Sequence, residues 1–246
     1  DVAGSDPVAD EENVVADDGA PVRLALLGCG VVGSAVARLL TEHAADLALT
    51  AARQGARVLV IRNTVDRAQA THAACLAEAP EHLLTVNGVA TLHHGRFAAE
   101  DRALLDAAVE EAIGKTSPMG GRIVIGTQTL EQSLDLCADI LITDLCPMDV
   151  LLQRIGRLHR HARSRPKGFE TARAVILHPA EGLDPLTRRG ENGLGANAEG
   201  PSLSGIYVDV AGLASTLAEI ETRPIWEIPA MNRALVEAAT HPEALD

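Results

Sequence analysis

"RIVIGTQTLEQSLDLCADILITDLCPMDVLLQRIGRLHRH", residues 122–161, holds two short apolar runs, each followed by polar residues that open a helical pattern. The runs "RIVIGT" (122–127) and "DILITDL" (139–145) have the length and Ile/Leu/Val content of strands buried on both faces. Between them "TLEQSLD" reads as a short helix, and after them "MDVLLQRIGRLHRH" (148–161) reads as an amphipathic one. Strand, helix, strand, helix implies crossover connections and a parallel sheet covered on both sides. In such sheets function sits beyond the carboxyl ends of the strands, so the polar residues after each strand carry the interest.

The alternation extends in both directions. "VRLALL" (22–27) is a predicted strand, and the helical pattern after it places Val32, Val36, Leu39 and Leu40 on one face. Strand "RVLVI" (57–61), a helix over 65–79, strand "VATLHH" (89–94) and helix "EDRALLDAAVEEAI" (100–113) lead into the quoted stretch. Strand "RAVILH" (173–178) follows it. Residues 182–205 contain six glycines and break all periodicity, so they read as a loop. Beyond lie a short strand "IYVDV" and helices near 211–221 and 230–239, a C-terminal cap. Residues 1–20 carry seven acids and no Lys or Arg, the composition of a disordered leader. The expected organisation is therefore a leader (1–20), a βα unit (21–50), an α/β domain (51–181), a flexible loop (182–205) and a cap (206–246).

Composition narrows the function classes. The 246 residues are 47% hydrophobic, enough for a buried core, and the formal net charge is -13. That charge argues against general coating of nucleic acid, yet residues 153–173 hold seven Lys/Arg against one Glu. A basic strip on an acidic body fits a defined anion site, such as nucleotide phosphates or a DNA backbone. The four cysteines are scattered without a C-x-x-C pair, so no zinc cluster or other metal site is expected. No apolar run reaches the ~18 residues of a membrane span, no signal peptide is evident, and a cytoplasmic protein without membrane partners is expected.

On a continuous helix over 148–161, Gln153, Arg157 and Arg160 fall at i, i+4 and i+7 and share a face, while Leu151, Leu152, Ile155 and Leu158 turn to the core. Arginine suits bidentate, permanently charged contact with phosphate oxygens. A stripe of this kind fits the charge that develops on a γ-phosphate, as arginine fingers do. The run from Gly126 to Asp135 adds donors and acceptors, with helix-opening N–H groups that can take a phosphate.

These residues resemble motifs V and VI of superfamily 2 helicases. "GTQTLEQSLDLCADILITDLCPMDVLLQRIGRLHRH" is similar, more narrowly, to the second RecA-like domain of the CRISPR-associated helicase-nuclease of type I interference systems. The resemblance continues through "RVLVIRNTV", "LHHGRF" and the tail "RPIWEIPAMNRALVEAATHPEAL", covering about 50–246. It implies a RecA-like parallel sheet and an ATP-driven, 3′-to-5′ DNA translocase. Arg157 and Arg160 would be arginine fingers positioned by Gln153, with Glu131, Gln132 and Asp135 on the ATP side. Thr127 and Gln128 would contact single-stranded DNA, with Arg62, Asn63, His94 and Arg96 as further DNA-side candidates. The implied partners are single-stranded DNA, a first RecA-like domain that holds the phosphate loop and Mg2+, and an RNA-guided CRISPR surveillance complex. Neither a phosphate loop nor an acidic box is visible in this sequence. "GKT" at 114–116 is not one, because Val109 stands where the motif needs glycine. Half an ATP site should not turn ATP over alone.

A second signal lies upstream. Gly28-x-Gly30-x-x-Gly33 follows a strand and opens a helix, as a dinucleotide fingerprint does. "PVRLALLGCGVVGSAVARLL" resembles the N-terminus of homoserine dehydrogenases, and the next strand ends at Arg62, the residue type that accepts the 2′-phosphate of NADP. Two further readings therefore stand beside the helicase one: an NADP-dependent oxidoreductase module, and an inert truncated domain.

Overall fold

The computed structural model describes residues 21–29, 34–131, 134–179, 182–183 and 206–240. The expected leader (1–20), most of the 182–205 loop, Gly30, Gly33 and Gln132 lie outside the described residues. The chain runs β1 (Pro21–Cys29), α1 (Ser34–Arg53), β2 (Arg57–Ile61), α2 (Val65–Glu78), β3 (Thr85–Val86), β4 (Val89–Ala90) and α3 (Ala99–Ile113). It continues through β5 (Arg122–Gly126), β6 (Ile140–Asp144), α4 (Met148–Ile155), β7 (Arg173–Pro179), α5 (Val210–Thr222), β8 (Ile225–Glu227) and α6 (Asn232–Thr240).

Six strands form one sheet in the order β5-β2-β6-β7-β1-β8, parallel except for β8. Side chains alternate along each strand, so Val58, Val60, Ile123, Ile125 and Ile142 enter one core with α1 and α2. Leu59, Ile61, Val124, Leu141 and Ile176 enter the other, under helices α3 to α6. The predicted α/β fold with helices on both faces is present.

Residues 21–50 supply β1 and α1 to this same sheet and its cover. β1 lies between β7 and β8, and Gly28 sits opposite His178 inside the ladder. A dinucleotide fold would place β2 beside β1, but β6 and β7 stand between them. Arg62 is buried against Asp144 instead of free for a 2′-phosphate. The expected NADP geometry is thus corrected by the strand order.

β2 and β6 are fastened at both ends. Arg57 grips Asp139 at 2.8 and 2.9 Å at the amino ends, and Arg62 meets Asp144 at 3.1 Å at the carboxyl ends. Each pair is 82 residues apart in sequence. The ladder sets Val58 opposite Ile140, the same offset, so the pairing register and the charge pairing agree. Burial alone would raise the Asp144 carboxyl, but Arg62 and Arg67, with the Asn63 N–H, hold it below the usual range. The same contest at Asp139 is settled by hydrogen bonds from Arg57 and Arg165.

Three expected elements differ. Of 89–94, only Val89–Ala90 is a strand, paired with β3 in a hairpin. His93 crosses to the outer edge of β5, where its N–H reaches the Ile125 carbonyl at 2.9 Å and its carbonyl receives the Thr127 N–H at 3.1 Å. That bridge covers the sheet edge and requires Gly126, because a Cβ there would stand 2.4 Å from the His93 carbonyl oxygen. The predicted strand over 206–210 is absent among the described residues, and β8, which pairs with β1, takes the sheet edge. Helix α4 stops at Ile155, short of residue 161.

Candidate nucleotide and nucleic-acid site

The end of α4 shapes the site. After Ile155 the turn tightens, with the Arg157 N–H on the Arg154 carbonyl (3.1 Å) and the Leu158 N–H on the Ile155 carbonyl (2.8 Å). The chain is then drawn to the start of β6. The Arg157 carbonyl accepts from Ala138 at 2.9 Å, the His159 N–H donates to the Ala138 carbonyl at 3.2 Å, and Leu158 is buried. Gln153 is therefore on the helix while Arg157 and Arg160 are on the segment after it, which corrects the single-face reading. Gln153 is exposed and Arg157 half-buried.

Arg157 and Arg160 nevertheless meet the same loop. The Arg157 guanidinium donates to the Leu134 carbonyl at 2.6 Å and to the Glu131 carbonyl at 2.5 Å. Its Nε is buried without a partner among the described residues. Burial, then the neighbouring Arg160, lowers the Arg157 pKa. Arg160 is 45% exposed and forms an ion pair with Asp135 at 3.1 Å, which His161 also approaches at 2.8 Å. Arg157, Arg160, Glu131 and Asp135, expected together, are brought together.

Glu131 faces inward, however. Its carboxylate, expected on the ATP side, receives the Arg154 Nε–H at 2.7 Å. Arg154 is fully buried and also donates to the Thr143 hydroxyl (2.6 Å), Asn63 Oδ1 (3.1 Å), the Tyr207 hydroxyl (3.1 Å) and the Asp144 carbonyl (3.2 Å). Burial would lower the Arg154 pKa, but Cys146, Glu131 and Tyr207 outweigh it and raise it. For Glu131 burial dominates over Arg154, and its carboxyl is raised.

The DNA-side candidates divide. Arg62 and Asn63 are buried: Arg62 also donates to Thr71 at 2.7 Å, and Asn63 donates from its backbone to Asp144 and from its amide to the Leu145 carbonyl, each at 2.8 Å. Their side chains are buried and hold the carboxyl ends of β2 and β6 together. Thr127 is also buried. Gln128 is half-buried and donates to the Asn63 carbonyl at 3.0 Å. His94 is buried, stacked on Phe97 with ring centroids 4.3 Å apart, and burial lowers its pKa. Arg96 is 62% exposed and only 3.4 Å from Asp66, a weak surface pair.

Sequence reasoning missed Arg154 as the hub and missed His93. His93 is buried, with Nδ1 2.8 Å from the Thr129 hydroxyl and Nε2 2.7 Å from Asp106. It fastens the 128–131 turn to α3. The signal for Arg154 was present: it lies three residues after Leu151 and beside Ile155, on the buried face.

A mostly parallel six-stranded sheet with helices on both faces is the fold of a RecA-like helicase domain. The similarities of the chain agree. Residues 54–163 match the family model described as CRISPR-associated nuclease/helicase Cas3, C-terminal. Over that segment the chain is similar to the C-terminal region of Cas3. It is 44% identical over 136 residues to the Escherichia coli K12 CRISPR-associated endonuclease/helicase Cas3, covering 53% of this chain and 14% of the relative. It is 39% identical over 150 residues to the Streptococcus thermophilus CRISPR-associated nuclease/helicase Cas3, covering 60% of this chain and 15% of the relative. The crystal structure of T. fusca Cas3-ATP superposes with a TM-score of 0.71 at 25% identity, covering 92% of this chain and 24% of that one. The chain therefore spans about a seventh of the length of these two curated relatives.

Proposed function

We propose that this chain supplies the arginine-finger half of the ATP cleft of a Cas3-type DNA translocase, working against a phosphate-loop domain. The observation that carries the reading is the convergence of Arg157 on the Glu131 and Leu134 carbonyls and of Arg160 on Asp135. Two arginine side chains held side by side, one half-buried and one exposed, fit the oxygens of a phosphate. ATP would supply the transferred phosphoryl group and its charge, with Mg2+ held by the other domain. Carbonyl oxygens of residues 131 and 134 aim the Arg157 fork, and Asp135 keeps Arg160 folded on the loop. Both cations are thereby oriented before reaction, which is where electrostatic stabilisation gains most.

The loop offers the coupling to nucleic acid. Gln128 begins the turn that ends at Glu131, whose carboxylate holds Arg154 and whose carbonyl holds Arg157. A single strand of DNA at Gln128 and Arg96 would press on the same turn that aims the finger. An RNA-guided surveillance complex is the partner that would deliver such a strand. The test is DNA-stimulated ATP hydrolysis by the full-length helicase carrying this chain, with Arg160→Ala and Gln128→Ala. Arg160→Ala should lower turnover at saturating DNA, and Gln128→Ala should raise the DNA concentration needed. Turnover and DNA dependence unchanged in both variants would remove the reading.

A further inference from the structure

Between the two arginines the backbone does something no helix does. His159 has φ of 45°, in the left-handed region that non-glycine residues seldom occupy and that His, Asn and Asp tolerate best. The side chains on either side point to one loop: Arg157 to the Glu131 and Leu134 carbonyls, Arg160 and His161 to Asp135. The His159 ring goes elsewhere. Its Nε2 lies 3.3 Å from the Asp139 carbonyl, at the start of β6. That contact is a hydrogen bond only with the proton on Nε2, as in the neutral ring with a bare Nδ1. Burial first, then Arg165, pushes its pKa down to about 4, so the ring is neutral at neutral pH.

We propose that His159 is a positioning residue whose left-handed backbone is the joint that turns Arg160 back onto the 131–135 loop beside Arg157. Its ring rests against the Asp139 carbonyl at 3.3 Å, and the backbone conformation, not the ring, sets the joint. A right-handed φ at this position would redirect the chain after Leu158, which is already paired with Ala138, and take Arg160 away from Asp135. The inference rests on the reading of Arg157 and Arg160 as fingers.

Three substitutions separate backbone from ring. Asn and Gly accept the left-handed region, whereas Val resists it strongly. In the full-length helicase, His159→Asn and His159→Gly should keep kcat for DNA-stimulated ATP hydrolysis within about threefold, and His159→Val should lower it about tenfold or more. KM for ATP should move less than about threefold throughout, because fingers act mainly on the transition state. A merely structural residue would change the folded fraction and the melting temperature without this Gly-and-Asn rescue of kcat. The joint is overturned if the Val variant is as active as the Asn variant, or if Asn and Gly are as poor as Val. Arg160→Ala in the same assay separates the two ideas. If it leaves kcat unchanged, the finger reading falls and the joint with it. If it slows turnover while His159→Val does not, only the joint falls.

Discussion

Replacing Arg154 with Met removes the guanidinium while keeping an unbranched, apolar stem in its place. Five hydrogen bonds of 2.6–3.2 Å disappear, and the Glu131 carboxylate and Asn63 Oδ1 lose their charged partner. Breaking a buried pair by removing one partner costs about 3–5 kcal/mol, a large share of a total stability of about 5–15 kcal/mol. With a urea m-value of about 2 kcal/mol per molar, the unfolding midpoint should fall by about 1.5–2.5 M. Far-ultraviolet circular dichroism of the chain in urea reads it directly. The pH dependence gives a second check. Burial already raises the Glu131 carboxyl, and Arg154 is the main group opposing that rise. Without Arg154 the folded pKa climbs further above the ordinary 4.5. A carboxyl raised on folding contributes stability that is fully present below its unfolded pKa and is lost as pH rises through the folded one. The defect should therefore be larger at pH 8 than at pH 5, and Glu131→Gln in the Met background should restore part of it. A loss below about 1 kcal/mol, or the same loss at both pH values, would refute the reasoning.

Two further outcomes follow from the packing. Asp144, held below the ordinary 3.8, contributes stability present above that value and lost as pH falls through its folded pKa. Asp144→Asn should then destabilise by about 3 kcal/mol at pH 7 and by progressively less as pH falls below 3.8, read by acid and urea titrations together. Gly126→Ala places a Cβ 2.4 Å from the His93 carbonyl oxygen and 2.6 Å from Leu130. It should cost about 2 kcal/mol or more, seen in thermal melting and in faster amide exchange at His93.

Much of the sheet was legible because a five-residue apolar run buried on both faces has few other solutions. "RVLVI", "RIVIG" and "ILITD" became β2, β5 and β6 within a residue or two of their expected bounds. Strand order was not, since nothing in the β1 pattern names β7 as its neighbour. β8 escaped because only three residues, ending before the turn at Pro229, take part. Arg157 and Arg160 stand out by residue type, yet they do not share a helical face with Gln153, because helical periodicity gives no warning that Leu158 will leave α4 to pair with Ala138. Arg62 and Asn63 looked like loop polarity after a strand. The sequence did hold the contrary clue: Arg57 and Arg62 flank one strand with the same spacing as Asp139 and Asp144 flank another. Complementary charges at equal spacing on two buried strands mark neighbours stapled at both ends, and Arg62 was already spoken for.

As an arginine finger, Arg157 would stabilise the transferring phosphoryl group from outside the phosphate-loop domain. The most direct test of that role is single-turnover hydrolysis by rapid quench in the full-length helicase bound to DNA, comparing the unmodified protein with Arg157→Ala. The chemical step should slow by about 10³-fold or more, while affinities for ATP and DNA stay within about threefold. A chemical step that proceeds at its normal rate in the Ala variant would contradict the account.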